Sequence, residues 1–248
     1  MRSYLFGLPI LTLLVVVSGC QKGSATAGYR DLSGVWIGPA TTLERTPPMT
    51  ATGQALFDAA KPLYGPRSVP VAESNDPVNT CDPQGFPRIL FLRSPLSGME
   101  FIQAPDRLLQ VFYYQYTLRE IWTYGRSLPT DVGGGNPKSP DPRWYGYSIG
   151  HWNDNVFVIE TVGAMETWGD EEGHPHSLRA RIEERYRLLD HDSLELIVNV
   201  DDPEIFQKRF VASKQVFKRG NELGEQLCVP SAASQYLELI AKPAGATR

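Results

Sequence analysis

Cysteine is scarce in this chain, with 3 in 248 residues, histidine numbers only 4, and basic residues nowhere gather into a run. With a formal net charge of -4, the lack of basic runs excludes nucleic acid as the expected partner and gives an anionic surface nothing to grip. Neither Cys81 nor Cys228 belongs to a Cys-x-x-Cys or has a histidine beside it, so neither is set up as a reactive thiolate or a zinc ligand. Gly133-Gly134-Gly135 is not completed by a Gly-Lys-Ser or Gly-Lys-Thr, which excludes a phosphate-cradling loop. The serines around His176 stand in no nucleophile arrangement, and serine hydrolase chemistry is not expected. No repeat of fixed period is evident.

What is present begins at the N-terminus. Arg2 precedes an apolar stretch from Leu5 to Val17, the layout of a signal peptide. At about 13 residues, interrupted by Pro9, the stretch is too short for a membrane-spanning helix, which needs roughly 20. It ends in Val17-Ser18-Gly19-Cys20, which resembles the lipobox of bacterial lipoprotein precursors. The resemblance implies cleavage before Cys20, a diacylglyceryl group on its thiol and an acylated amino terminus. Several acyl chains, at roughly 0.8 kcal/mol per buried methylene, make a stable anchor. Gln21, rather than Asp, follows the cysteine and resembles the sorting signal for the outer membrane. The expected location is therefore the cell envelope, on the outer membrane facing the periplasm, with the lipid membrane as partner through acylated Cys20. Residues 1–19 are then signal peptide, 20–30 a small polar tether and 31–248 a single domain.

Lipidation of Cys20 leaves Cys81 and Cys228 as an even pair in an oxidising compartment, where a disulfide is expected. An aromatic content of 10%, with 20 prolines and 22 glycines, favours strands and turns over a helical bundle. Period-2 alternation predicts strands at 31–37, 99–103, 108–116, 118–124, 148–152, 156–162, 177–189, 193–200 and 209–218. Pro105-Asp106-Arg107, Asn153-Asp154-Asn155 and Asp190-His191-Asp192 are connectors of hairpin type. One helix is expected from Gly53 to Lys61, capped by Thr52 and stopped by Pro62. Another is expected from Ala232 to Ala241, with Tyr236, Leu237 and Ile240 on one face. Residues 62–87 read as an irregular loop, and 127–142 as a flap over a barrel mouth. The expected fold is mainly β: an antiparallel β-barrel or curved sandwich with two short helices and long loops.

Asp31-Leu32-Ser33-Gly34-Val35-Trp36 looks like the Gly-x-Trp start of lipocalin-type barrels, which implies that Trp36 plugs the closed end. A longer block carries Trp144-Tyr145-Gly146-Tyr147-Ser148-Ile149-Gly150-His151-Trp152, Glu160-Thr161-Val162-Gly163, Trp168-Gly169-Asp170, Gly173-His174-Pro175-His176-Ser177 and Asp201-Asp202-Pro203. With Cys81-Asp82-Pro83-Gln84-Gly85-Phe86-Pro87-Arg88 upstream, it is similar to an uncharacterised family of exported bacterial proteins. That resemblance implies export and supplies no activity.

Several residues are candidates for chemistry. Alternation along 177–189 sets Glu184 on a face with Ala180, Ile182, Tyr186 and Leu188. A carboxylate there must be paired, hydrogen-bonded or raised in pKa, and a raised pKa suits a general acid or base. Glu160 shares its face with Val156, Val158 and Val162, so two carboxylates approach each other if both faces line one lumen. The alternative is that each is satisfied by an arginine such as Arg119 or by a tyrosine hydroxyl. The loop 168–177 gathers Asp170, Glu171, Glu172, His174 and His176. His176 oriented by Asp170 or Glu184 is a candidate base. His174-x-His176 with a loop acid is an incomplete metal motif, distorted by Pro175, and no metal is expected. Aromatic residues crowd the middle strands, and Trp122, Tyr114, Trp144 and Trp168 are candidates for holding an apolar or ring-bearing ligand.

Three functions stay open. The leading one is a binding protein that holds a hydrophobic or aromatic small molecule in a barrel lumen. The second is a cofactor-free acid/base enzyme, an isomerase, lyase or hydrolase, using Glu184, His176, Glu160 and Asp170. The third is a structural envelope lipoprotein. No cofactor is expected, because ATP and nicotinamide cofactors are scarce in the envelope.

Overall fold

The computed structural model describes residues 30–39, 46–93 and 96–243. The expected signal peptide, the lipobox with Cys20 and nearly all of the tether lie outside these residues. In chain order the elements are β1 (Gly34–Ile37), α1 (Ala51–Ala59), β2 (Gly98–Gln103), β3 (Arg107–Phe112), β4 (Leu118–Trp122), β5 (Tyr147–Asn153) and β6 (Val156–Val162). There follow β7 (Thr167–Trp168), β8 (Pro175–His176), β9 (Arg181–Asp190), β10 (Ser193–Asp201), β11 (Phe210–Gly220) and α2 (Pro230–Tyr236), which runs on into a π-helical turn (Leu237–Ala241).

Among the described residues nine strands close into one barrel, ordered β1-β11-β10-β9-β6-β5-β4-β3-β2, and β7 with β8 forms a separate hairpin. Closure decides for the barrel over the sandwich. Each neighbouring pair is antiparallel except β4 and β5, which run parallel with Ile121 opposite Ser148 and Trp122 opposite Ile149. A parallel partner cannot be reached by a tight turn and needs a crossover of a dozen residues or more. Residues 123–146 supply it, so the Pro/Gly-rich stretch expected as a flap is the structural link of the parallel β4–β5 junction.

The helices differ from expectation at their ends. Thr50, not Thr52, caps α1, its hydroxyl accepting the Gly53 N–H at 3.0 Å. Thr52 lies inside the first turn, where its own N–H is among those a cap must serve. α2 begins at Pro230, a residue suited to the first helical position because it has no N–H to satisfy. Tyr236 and Ile240 are exposed rather than turned to the core.

The barrel interior is full. Alternation points Leu108, Gln110 and Phe112 of β3 inward, and likewise Ile121, Ile159, Ile182, Tyr186, Leu196 and Val198 from the strands that follow. Residues 84–92 are buried without a break, and Phe86, Ile89, Leu90, Phe91 and Leu92 belong to the same apolar cluster as those inward side chains. A gap bordered by Ile89, Leu90, Met99, Phe112 and Phe217 measures only about 10 Å³. Among the described residues the chain thus plugs its own barrel, and the stretch expected as an irregular loop over 62–87 ends in that plug.

The plug is tied at several points. Arg88 makes a bidentate ion pair with Asp76 at 2.8 and 2.7 Å, both side chains buried. Gln215 of β11 donates to the Leu90 carbonyl at 3.1 Å. Just upstream, Cys81 and Cys228 form the expected disulfide, their Cα atoms 5.5 Å apart. Trp36 is fully buried, its Nε1 donating to the Leu32 carbonyl at 2.8 Å, and the Arg219 guanidinium of β11 covers its ring at 4.3 Å.

Candidate functional site

Glu184 sits in β9 opposite Val198 and Ile159 and is fully buried inside the barrel. Arg119, inward on β4, donates to both carboxylate oxygens at 2.7 and 3.1 Å, and the Tyr186 hydroxyl donates to one of them at 2.8 Å. The remaining guanidinium protons reach Gln110 Oε1 at 2.9 Å, Ser148 Oγ at 3.0 and 3.1 Å and Thr161 Oγ1 at 2.6 Å. Its face lies on the Phe86 ring of the plug at 4.0 Å. Burial and the neighbouring Glu184 charge hold the Tyr186 hydroxyl well above its ordinary range. Of the two alternatives open for Glu184, the structure shows a carboxylate paired with Arg119 and bonded to a tyrosine hydroxyl. The chain does contain one Gly-x-Ser-x-Gly spacing, Gly146 to Gly150. Its Ser148 lies within β5, bonded to Arg119 and Thr161, so no strand-to-helix nucleophile elbow forms there.

Glu160 does not join Glu184. Ile159 is the residue opposite Glu184, and Glu160 stands opposite Glu183 on the outer side of the wall, half-buried. The valines misdirect the face assignment: Val158 and Val162 are buried although they point outward. β6 is apolar on both faces, and alternation cannot then tell inside from outside. Asp170 likewise serves another residue than expected. It is buried, accepts the backbone N–H of Glu172 and of His174 at 3.0 Å each, and meets Nδ1 of His174 at 2.6 Å. His174 in turn stacks on Phe57 of α1, ring centres 4.6 Å apart, so Asp170 orients His174 and not His176. Among the described residues no three His, Cys, Asp or Glu stand together as a metal-binding group.

His176 is buried in the β7–β8 hairpin, apart from Glu184, Glu160 and Asp170, with which it shares no hydrogen bond. Its Nδ1 lies 3.2 Å from the Ser177 carbonyl. A carbonyl only accepts, so Nδ1 carries the proton and Nε2 presents a bare lone pair. That Nε2 is buried without a partner. Burial pushes the imidazole below its ordinary value of 6.5, outweighing the Ser177 carbonyl, Asp202 and Glu166, which favour the charged form. Below 6.5 the unfolded chain takes up a proton that the folded chain refuses, so this contribution to stability falls as pH drops and is level above 6.5. In urea unfolding compared at pH 7.5 and 5.5, His176→Phe is expected to lose less stability on acidification than the wild type. Equal losses in the two proteins would show that His176 titrates normally.

The candidate ligand site is elsewhere on the wall. Beside the two paired residues of β4 and β5 a cleft of about 460 Å³ opens, lined by Leu118 and Trp122 of β4, Tyr147 and Ile149 of β5, and residues of the 123–146 crossover. The crossover contributes Arg126, Leu128, Pro129, Arg143, Trp144 and Tyr145. Trp122 is gripped between the guanidiniums of Arg126 at 3.3 Å and Arg107 at 4.2 Å, and Arg143 lies over Tyr147 at 4.2 Å. Arg107 is neutralised by Glu120 and Asp106. Neither Arg126 nor Arg143 has an ion-pair partner among the described residues.

Of the four aromatic candidates, Trp122 and Trp144 meet in this cleft. Tyr114 is packed in the core beside Gln84, and burial raises its hydroxyl pKa. Trp168 lies beside His176 at a different cavity. Arg126 and Arg143 are not evident as site residues in the sequence, because only the parallel junction brings them to one opening. The signal available was the aromatic density of 144–149 next to a Pro/Gly-rich stretch. No protein-family model matches the chain, and no curated protein is significantly similar to it.

Proposed function

We propose that the protein is a lipid-anchored, periplasm-facing lipoprotein that holds a ring-bearing, apolar small molecule in the cleft between β4 and β5. The observation that carries the reading is the cleft itself: about 460 Å³ walled by Trp122, Trp144, Tyr145 and Tyr147. Ligand sites of roughly 300–1,000 Å³ with apolar and aromatic walls and a few placed polar groups suit small molecules. Arg126 and Arg143, unpaired among the described residues, favour a ligand that also carries an anionic group such as a carboxylate. Support for the anchor is the lipobox-like Val17-Ser18-Gly19-Cys20, and support for an oxidising compartment is the Cys81–Cys228 disulfide.

The test is titration of the mature chain with 2-naphthoate, a bicyclic carboxylate, followed by tryptophan fluorescence. Saturable quenching is expected, and Trp144→Ala is expected to weaken it about ten-fold, or about 1.4 kcal/mol, with the unfolding midpoint unchanged. Quenching that never saturates, or equal affinity in Trp144→Ala, would sink the reading.

A further inference from the structure

Two strands of the cleft each carry an aromatic ring with an arginine laid on it. The Arg126 guanidinium lies over Trp122 of β4 at 3.3 Å, and that of Arg143 over Tyr147 of β5 at 4.2 Å. Stacking occupies the face of a guanidinium and leaves its planar fork of N–H donors free at the edge, the geometry that receives a carboxylate through two bonds. Both arginines are exposed, and among the described residues neither donates a hydrogen bond or meets a carboxylate at ion-pair distance.

Elsewhere in this acidic chain guanidiniums are consumed: Arg88 by Asp76, Arg93 by Glu171, Arg119 by Glu184 and Arg187 by Glu195. The carboxylates at hand here are consumed too. Glu120, which lines the cleft, accepts from Arg107 at 2.7 Å, and Asp106, whose carbonyl accepts the Thr123 N–H, is held by Arg107 at 3.0 Å. The positive charge of Arg126 and Arg143 is therefore left for an occupant.

The register keeps the two arginines apart. Trp122 pairs with Ile149, two residues past Tyr147, and with Ile121 and Ser148 buried in the interior both rings point outward. They are diagonal neighbours on one face, with Cα atoms about 8 Å apart at the spacing of adjacent strands. We infer, on the reading of this cleft as a ligand site, that it selects an aromatic dianion: a flat ring system with carboxylates at opposite ends, one on Arg126 and the other on Arg143.

The test is calorimetric titration of the mature chain with 2,6-naphthalenedicarboxylate, beside 2-naphthoate and 2,3-naphthalenedicarboxylate, whose two carboxylates share one edge. The 2,6 isomer is expected to bind about ten-fold tighter than 2-naphthoate, and the 2,3 isomer to stay within about three-fold of it. Arg126→Gln and Arg143→Gln are each expected to erase the preference, bringing the 2,6 isomer within about three-fold of 2-naphthoate. The unfolding midpoint is expected to stay unchanged, because both side chains are exposed and unpaired. Equal affinity for the two isomers would mean that charge alone attracts the ligand, and a preference that survives in either variant would mean that the second carboxylate has another partner. Each of these outcomes, or saturable 2-naphthoate binding with no gain for the 2,6 isomer, overturns the dianion and leaves the cleft its ring-bearing ligand. No saturable binding of any of the three removes both.

Discussion

Arg119→Met alone is expected to destabilise the protein by about 3–5 kcal/mol, because it strands a fully buried Glu184 carboxylate without its charge partner. For a chain of this size that is a fall of roughly 6–20 °C in Tm. Glu184→Gln is expected to fail in the same way, by leaving the guanidinium unpaired against Phe86, Ser148 and Thr161. The double variant Arg119→Met/Glu184→Leu removes both charges at similar volume and is expected to regain part of the loss, the remainder reflecting Gln110 Oε1 and the Tyr186 hydroxyl, which lose their partners. Urea unfolding of the three variants against wild type reads this directly. Single variants within about 1 kcal/mol of wild type would mean that the pair is not the keystone its burial suggests.

Breaking the Cys81–Cys228 bridge is the other large effect. The cross-link spans 147 residues, for which the chain-entropy model gives roughly 5 kcal/mol as an upper figure. Its position adds a local consequence. Cys81 is three residues ahead of the buried plug, and Cys228 fastens the segment that leads into α2. Cys81→Ser/Cys228→Ser, or the wild type in reductant, is therefore expected to unfold at clearly lower temperature and to admit solvent to residues 84–92. Hydrogen exchange at those amides, read beside thermal unfolding, checks both parts. An unchanged midpoint with an unchanged exchange pattern would show that the barrel holds its plug unaided.

The strands were legible wherever one face is apolar and the other polar. β3 and β9 follow alternation closely, as does β10 from Leu196 onward, and the disulfide followed from counting cysteines. Glu184 on an apolar face was legible as a carboxylate in need of a partner, and Arg119 shares its strand face with Ile121, so the pairing was within reach. Three things were not legible, each for a physical reason. The plug has no period of its own, because its 3₁₀ turn and extended pieces are buried on all sides. Glu160 was set on the wrong face because β6 is covered outside as well as inside. The cleft depends on a parallel junction, and no local pattern announces that two neighbouring strands run the same way.

The seam of the barrel is β1, four residues long, with Val35 opposite Gly220 on one side and Glu100 on the other. The last strand of the cylinder therefore closes on the first. A chain emerging N-terminus first can lay β1 against β2 early, yet β1 stays an open edge until Gly220 has arrived. During that interval β1 and the newest strand each offer unpaired backbone to any neighbour. Everything up to β11 is thus committed before the cylinder can shut, and a product ending short of Phe210 would be left with two sticky rims rather than a smaller barrel.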